Sequence, residues 1–124
     1  MRWLGYAGLA VLAMMFVVFS GQSAQAANPA LPLAAGASAD AKMHNDAGID
    51  HYNQGHMDVA EKHFREAIAA DPNAAEAHYN LALTLDAQGM HKEAADEFKK
   101  ALDLGSKNPA IANSAILKKH LGMK

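Results

Sequence analysis

The chain has 124 residues and no cysteine, which confines it to one small domain without disulfides or thiolate metal ligands. Eleven Lys and Arg stand against 13 Asp and Glu, a net charge of -2, so the basic excess that a phosphate backbone requires is missing and nucleic acid is not an expected partner. Hydrophobic residues make up 51%, but the longest apolar run is concentrated near the N-terminus.

Arg2 precedes an almost unbroken apolar stretch that reaches Phe19, and Ala24-Gln25-Ala26 then supplies small residues for peptidase cleavage. These are the parts of a secretory signal over residues 1–26, with cleavage expected before Ala27 and a periplasmic or secreted destination. The alternative is a membrane anchor left uncleaved, since about 17 apolar residues at about 1.5 Å each could cross a thinned bilayer. Without a cysteine after the run, a lipid anchor of the bacterial lipoprotein kind has no attachment point. Residues 27–40 carry Pro29, Pro32 and many small side chains without a sustained period, which suits a flexible linker whose role is separation.

From Ala41 the pattern becomes helical and repeats at an offset of 34 residues. Ala41 pairs with Ala75, His44 with His78, Gln54 with Gln88, Gly55 with Gly89, Ala60 with Ala94, Phe64 with Phe98 and Ala67 with Ala101. The first unit spans 41–74 and the second 75–108. A helix is predicted over 41–54 with Asp40 as N-cap and Gly55 as its left-handed stop. Met57, Ala60, Phe64, Ala67 and Ile68 place a buried stripe on a second helix over 57–70, which Asp71-Pro72 ends. Asn73 and Glu76 have capping-box spacing for a third helix over 75–88, stopped by Gly89. A fourth follows over 91–104, closed by Gly105, and Asn108-Pro109 opens a fifth over 109–121 whose apolar pattern fits two registers.

A 34-residue helix-turn-helix unit with Gly48 or Ala82 in the small slot, a glycine at the turn and an Ala, Phe, Ala spacing in the second helix resembles the tetratricopeptide repeat family. The resemblance covers 41–108 and implies an all-α fold. Antiparallel hairpins would stack as a short right-handed solenoid, with 109–124 as a capping helix and tail. Ser106 stands where the closing proline is expected, and His44, His78 and His51 occupy slots that usually hold large or aromatic residues. Family geometry places the first helix of each unit on a concave face. The residues brought there are Lys42, Asn45, Ile49, Tyr52 and Asn53 from the first unit and Glu76, Tyr79, Leu83 and Asp86 from the second, with Asn80 at the edge, and all but Lys42 and Glu76 are expected to contact the partner. Such a surface suits a protein or peptide segment, the tyrosines offering area and the asparagines bonding an extended backbone. Of the residues with which some members hold a C-terminal carboxylate, only Asn80 is matched, so that mode is not expected.

The expected function is therefore an exported protein-protein interaction module, an adaptor or assembly scaffold. Two repeats are fewer than the three or so usually needed for a solenoid, so the alternative is a self-associating subunit whose groove is a homo-oligomer interface. Seven histidines raise histidine-based metal binding as a third and lesser reading. His44 to His51 and His56 to His63 are each seven apart, about 10 Å along a helix, too far for one zinc, so any site would need partners from another helix. No metal site and no cofactor are therefore expected. Histidines packed neutral in the core would cost stability in acid, near pH 5 to 6 by ordinary imidazole titration. No phosphate loop, nucleophile elbow or His-Glu-x-x-His motif is present, and catalysis is not expected.

Overall fold

The computed structural model describes residues 28–124, so the signal peptide expected over 1–26 and its anchor alternative lie outside the described residues. Among the described residues there are six helices and no strand: α1 (Ala39–Asn53), α2 (Met57–Ala70), α3 (Ala75–Ala87), α4 (His91–Gly105), α5 (Pro109–Ala112) and α6 (Ala115–His120). No helix among them is long and apolar enough to cross a membrane.

The local signals act mostly where expected. Gly55 and Gly89 take φ of +80° and +79° after α1 and α3, a conformation that costs a residue with a Cβ, and each turn hands the chain into the next helix. The α1 cap is Ser38, whose hydroxyl accepts from Ala41 N at 3.2 Å, and Asp40 instead sits in the first turn where its charge meets the helix dipole. The capping box expected at α3 does not form. Ala74 is the N-cap, Asn73 N donates to the Asp71 carboxylate, and Glu76 accepts from Asn108 Nδ2 at 3.1 Å.

Helix α1 packs on α2, α3 on α4, and α2 on α3, which joins the two hairpins. Equivalent residues fill equivalent places: Ala60, Phe64 and Ala67 in one hairpin and Ala94, Phe98 and Ala101 in the other are fully buried. Gly48 is the closest contact of the first hairpin, because a Cβ there would lie 2.5 Å from Phe64 Cε1. Gly105 also differs from its expected role. It is the last residue of α4, and a Cβ on it would meet the Ala75 methyl at 2.6 Å and Ile111 Cδ1 at 2.8 Å, so close packing explains it better than a left-handed stop.

The single helix expected over 109–121 is divided. Asn108 caps α5 and Ser114 caps α6, each accepting a backbone N–H two or three residues on. The break lets Ile111 and Leu117, which follow two different helical registers, both reach zero exposure against the last hairpin.

His78 shows what a packed histidine does here. Its Nδ1 lies 2.7 Å from Glu97 Oε2 and its Nε2 lies 2.9 Å from the Pro72 carbonyl, so both ring nitrogens face acceptors and the doubly protonated ring donates to both. Burial alone disfavours the imidazolium, but the Glu97 carboxylate and the Pro72 carbonyl outweigh it and raise the His78 pKa above 6.5. Burial likewise opposes the Glu97 carboxylate, and its bonds to His78 and Lys100 overcome this and lower its pKa below 4.5. A raised imidazole value contributes stability that is complete below the unfolded value and lost as pH rises through the folded one, while a lowered carboxyl value contributes stability lost as pH falls through it. The pair therefore stabilises most between 4.5 and 6.5, the opposite of the acid loss expected from neutral packed histidines.

Two outcomes follow from these contacts. Gly48→Ala is expected to destabilise by about 2 kcal/mol despite the better helix propensity of alanine, lowering the melting temperature by about 10 °C. Glu97→Gln is expected to cost about 2 kcal/mol at about pH 5.5 and clearly less at about pH 8.5. Urea unfolding of wild type and variant at both pH values checks the sign.

Candidate peptide groove

The face made by α1 and α3 is not bare. Residues 28–33, read from sequence as part of a separating linker, lie across it without regular secondary structure, and side chains from both helices hold their backbone. Asn80 Oδ1 accepts from Leu31 N at 2.7 Å, and Asn80 Nδ2 donates to Leu31 O at 2.7 Å. Asn45 Nδ2 donates to the same Leu31 carbonyl at 3.0 Å, and Asn45 Oδ1 accepts from Asn80 Nδ2 at 2.8 Å. Tyr52 Oη donates to Asn28 O at 3.0 Å.

This segment, the strap, runs antiparallel to α1: Asn28 is held by Tyr52, and Leu31, three residues on, is held by Asn45, seven residues earlier in that helix. Leu33 then enters a small apolar cluster with Ala41, Ala67, Ala74 and Ala77, and Ala30 and Leu31 pack against the main core. The two prolines restrict the backbone to extended conformations, and with no N–H to offer they leave the bonding to Leu31.

Asn45 and Asn80 are completely buried, one contributed by each repeat at positions 35 apart. A buried primary amide must find partners or lose about 1–3 kcal/mol per unmet group. Leu31 supplies one donor and one acceptor. The two asparagines therefore hold the strap through its backbone rather than through its side chains. Thr84 Oγ1 donates to the Asn80 carbonyl at 2.8 Å and fixes the turn that carries it.

The eight residues expected to contact a partner on this face take different positions. Asn45, Tyr52 and Asn80 touch the strap by hydrogen bonds, and Asn80, expected at the edge, lies at the centre. Tyr79 is 4% exposed, bonds Ser114 Oγ at 2.9 Å, and borders a recess of about 300 Å³ with Pro29, Leu31, Ala110 and Ser114. Leu83 belongs to the main core and Ile49 packs against it, while Asn53 is exposed at the end of α1. Asp86 is committed elsewhere: its Oδ1 lies 2.7 Å from His91 Nδ1 and 2.8 Å from His120 Nε2, tying α6 to α3 and α4. Burial raises the Tyr52 phenol to about 12, with the Tyr79 and Asp86 charges adding to it, and burial raises Tyr79 as well, so both stay protonated hydroxyls.

What sequence reasoning missed is the occupant. The Pro-x-x-Pro spacing of Pro29-Ala30-Leu31-Pro32 was the available signal, because a segment that does not favour a helix suits a groove whose amides need backbone partners.

The tetratricopeptide repeat model matches residues 45–109. Two curated proteins are similar to part of the chain. A protein O-mannosyl-transferase of Caenorhabditis elegans is 30% identical over 69 residues, which is 56% of this chain and 10% of that protein. The type IV pilus assembly protein PilF of Pseudomonas aeruginosa is 31% identical over 67 residues, which is 54% of this chain and 27% of that protein. The matched segment thus spans about a quarter or less of these relatives. With one hairpin motif used twice, each closed by a left-handed glycine and filled by an Ala, Phe, Ala stripe, the chain belongs to the tetratricopeptide repeat family.

Proposed function

We propose that the chain is an exported protein-interaction module whose α1–α3 groove binds an extended peptide segment of a partner, and that the strap is the occupant which such a segment displaces. The observation that carries this reading is the pair of buried asparagines closed on both polar groups of Leu31. That mode of recognition depends on backbone, so an external peptide with small and apolar side chains around a central leucine can make the same bonds. The family is one of protein-interaction modules, and the similarity to a pilus assembly protein supports a role in assembly. Export rests on Arg2, the apolar run and Ala24-Gln25-Ala26, and cleavage before Ala27 would leave the strap as the new N-terminus of the chain. No cofactor and no catalytic step is assigned.

The competing reading makes the groove an interface between copies of the chain. The strap covers that surface, and the large exposed apolar side chains Met43, Leu104 and Met123 are spread between α1, the end of α4 and the C-terminus. Light scattering over a hundredfold range of concentration is expected to give a monomer, and a stable dimer overturns this choice.

The groove itself is tested with a labelled peptide of the sequence of residues 28–34 and fluorescence polarisation. The intact chain competes with its own strap at an effective concentration of about millimolar, so the added peptide is expected to bind weakly. Leu31→Asp with Leu33→Asp releases the strap and is expected to raise the affinity at least about tenfold. Adding Asn80→Ala to that variant removes two backbone bonds, with an expected loss of about 2 kcal/mol, or about thirtyfold. A released chain of native helicity that binds no peptide overturns the proposal.

A further inference from the structure

The hairpin of α1 and α2 gathers histidines that are distant in sequence. His44 and His63 lie equally far from the turn centre between Asn53 and Gln54, as do His51 and His56, so folding the hairpin sets each pair side by side. The His51 ring stacks on His63 at 5.6 Å, and His44 lies 5.9 Å from His63. Glu66, one turn after His63, completes the group. Its Oε2 is 3.0 Å from His44 Nδ1 and 3.4 Å from His63 Nδ1.

One atom in this group is unpaired. Among the described residues, His63 Nδ1 is the buried side-chain nitrogen or oxygen without a hydrogen-bond partner. Although the Glu66 oxygen lies nearby, the direction does not suit a bond. Unprotonated, the nitrogen turns a lone pair toward a carboxylate; protonated, it leaves its proton unbonded. Either state costs free energy at an atom that solvent does not reach. A cation held by His44 Nδ1, His63 Nδ1 and Glu66 Oε2 removes the conflict, because it meets both lone pairs and the carboxylate charge together.

We propose that His44, His63 and Glu66 form a binding site for one divalent transition-metal ion of the zinc or copper(II) kind. Two imidazoles and a carboxylate are the donor set that such borderline ions accept, and hard ions such as magnesium and calcium prefer oxygen alone. The spacing agrees. Ligands about 2.0–2.1 Å from a tetrahedral ion are about 3.3 Å from one another, which the two donor-to-Glu66 distances of 3.0 and 3.4 Å bracket. All three donor atoms lie within 4.8 Å of one another, and half-exposed side chains leave the fourth position open to water or a partner's ligand. The second group of this composition, Asp86 with His91 and His120, is different: His91 Nδ1 is hydrogen-bonded to Asp86 Oδ1 at 2.7 Å and His120 Nε2 lies 2.8 Å from the same oxygen, spacings too tight for an ion between them. It serves as the comparator. An ion in the first group clamps α1 to α2 one residue from Asn45.

The test is calorimetric titration of the tag-free full chain with zinc chloride and, separately, copper(II) chloride at about pH 7.5, with magnesium chloride as the hard-ion control. One equivalent is expected to bind, and the melting temperature is expected to rise until that equivalent is filled. His63→Ala and His44→Ala are each expected to weaken that event at least about tenfold, and His91→Ala to leave it unchanged. Glu66→Gln, on a partly exposed helix face, keeps the hairpin while removing the charged ligand, and the same tenfold loss is expected. Absence of a stoichiometric event, a site unaffected by Glu66→Gln and His63→Ala, or one removed by His91→Ala overturns the assignment.

Discussion

The buried amide pair of Asn45 and Asn80 is the constraint on which the rest of the molecule turns. Two primary amides sit at zero exposure where α1 of one repeat meets α3 of the next, and their mutual bond ties the two repeats at one point. That bond uses one donor and one acceptor of the set. The remaining capacity faces the groove, and in a site without water it must be met by a polar group of something else. Leu31 of the chain's own strap meets it. The pair therefore joins the repeats and creates a demand for an extended backbone in the same stroke, so the groove has an occupant for a physical reason that does not depend on the occupant's side chains.

Around that pair the fold is arranged so that α3 is the central helix. Its residues 75–85 are all buried, because α2, α4, the strap and the C-terminal segment surround it. With two repeats there is no third hairpin to cover the far end, and α5 and α6 take that place through Ile111 and Leu117. The Tyr79–Ser114 bond and the Asp86–His120 contact connect this cover to the groove helix. Gly105 allows the close approach that such a cover needs.

The histidines divide by what surrounds each. His78 is held between a carboxylate and a carbonyl and favours its charged form, so its contribution falls in the opposite pH range to that of a neutral core imidazole. His91 and His120 share Asp86. His44, His51, His56 and His63 line one edge of the first hairpin, and only there is a buried ring nitrogen left without a partner among the described residues. Count and spacing alone could not separate these cases, because the partner of each ring lies on a different helix or on the loop before α3.

The repeat period, the two left-handed glycines, the bounds of α2 and the small-residue role of Gly48 were all legible in the sequence, since each depends on residues close along the chain or on a period of 34. Local energetics decide such features: a glycine at positive φ or an apolar stripe at helical spacing needs no distant partner to be recognised. Tertiary structure alone decided the cap of α3, the division of the last helix, the upward shift of the His78 pKa and the seating of residues 28–33. Each of those depends on a partner brought in from far along the chain: Asn108 for Glu76, Tyr79 for Ser114, Glu97 for His78, and Asn80 for Leu31 across 49 residues. A segment of prolines and small residues has no internal period to announce where it belongs, so its place was set by the unmet hydrogen bonds of two buried asparagines.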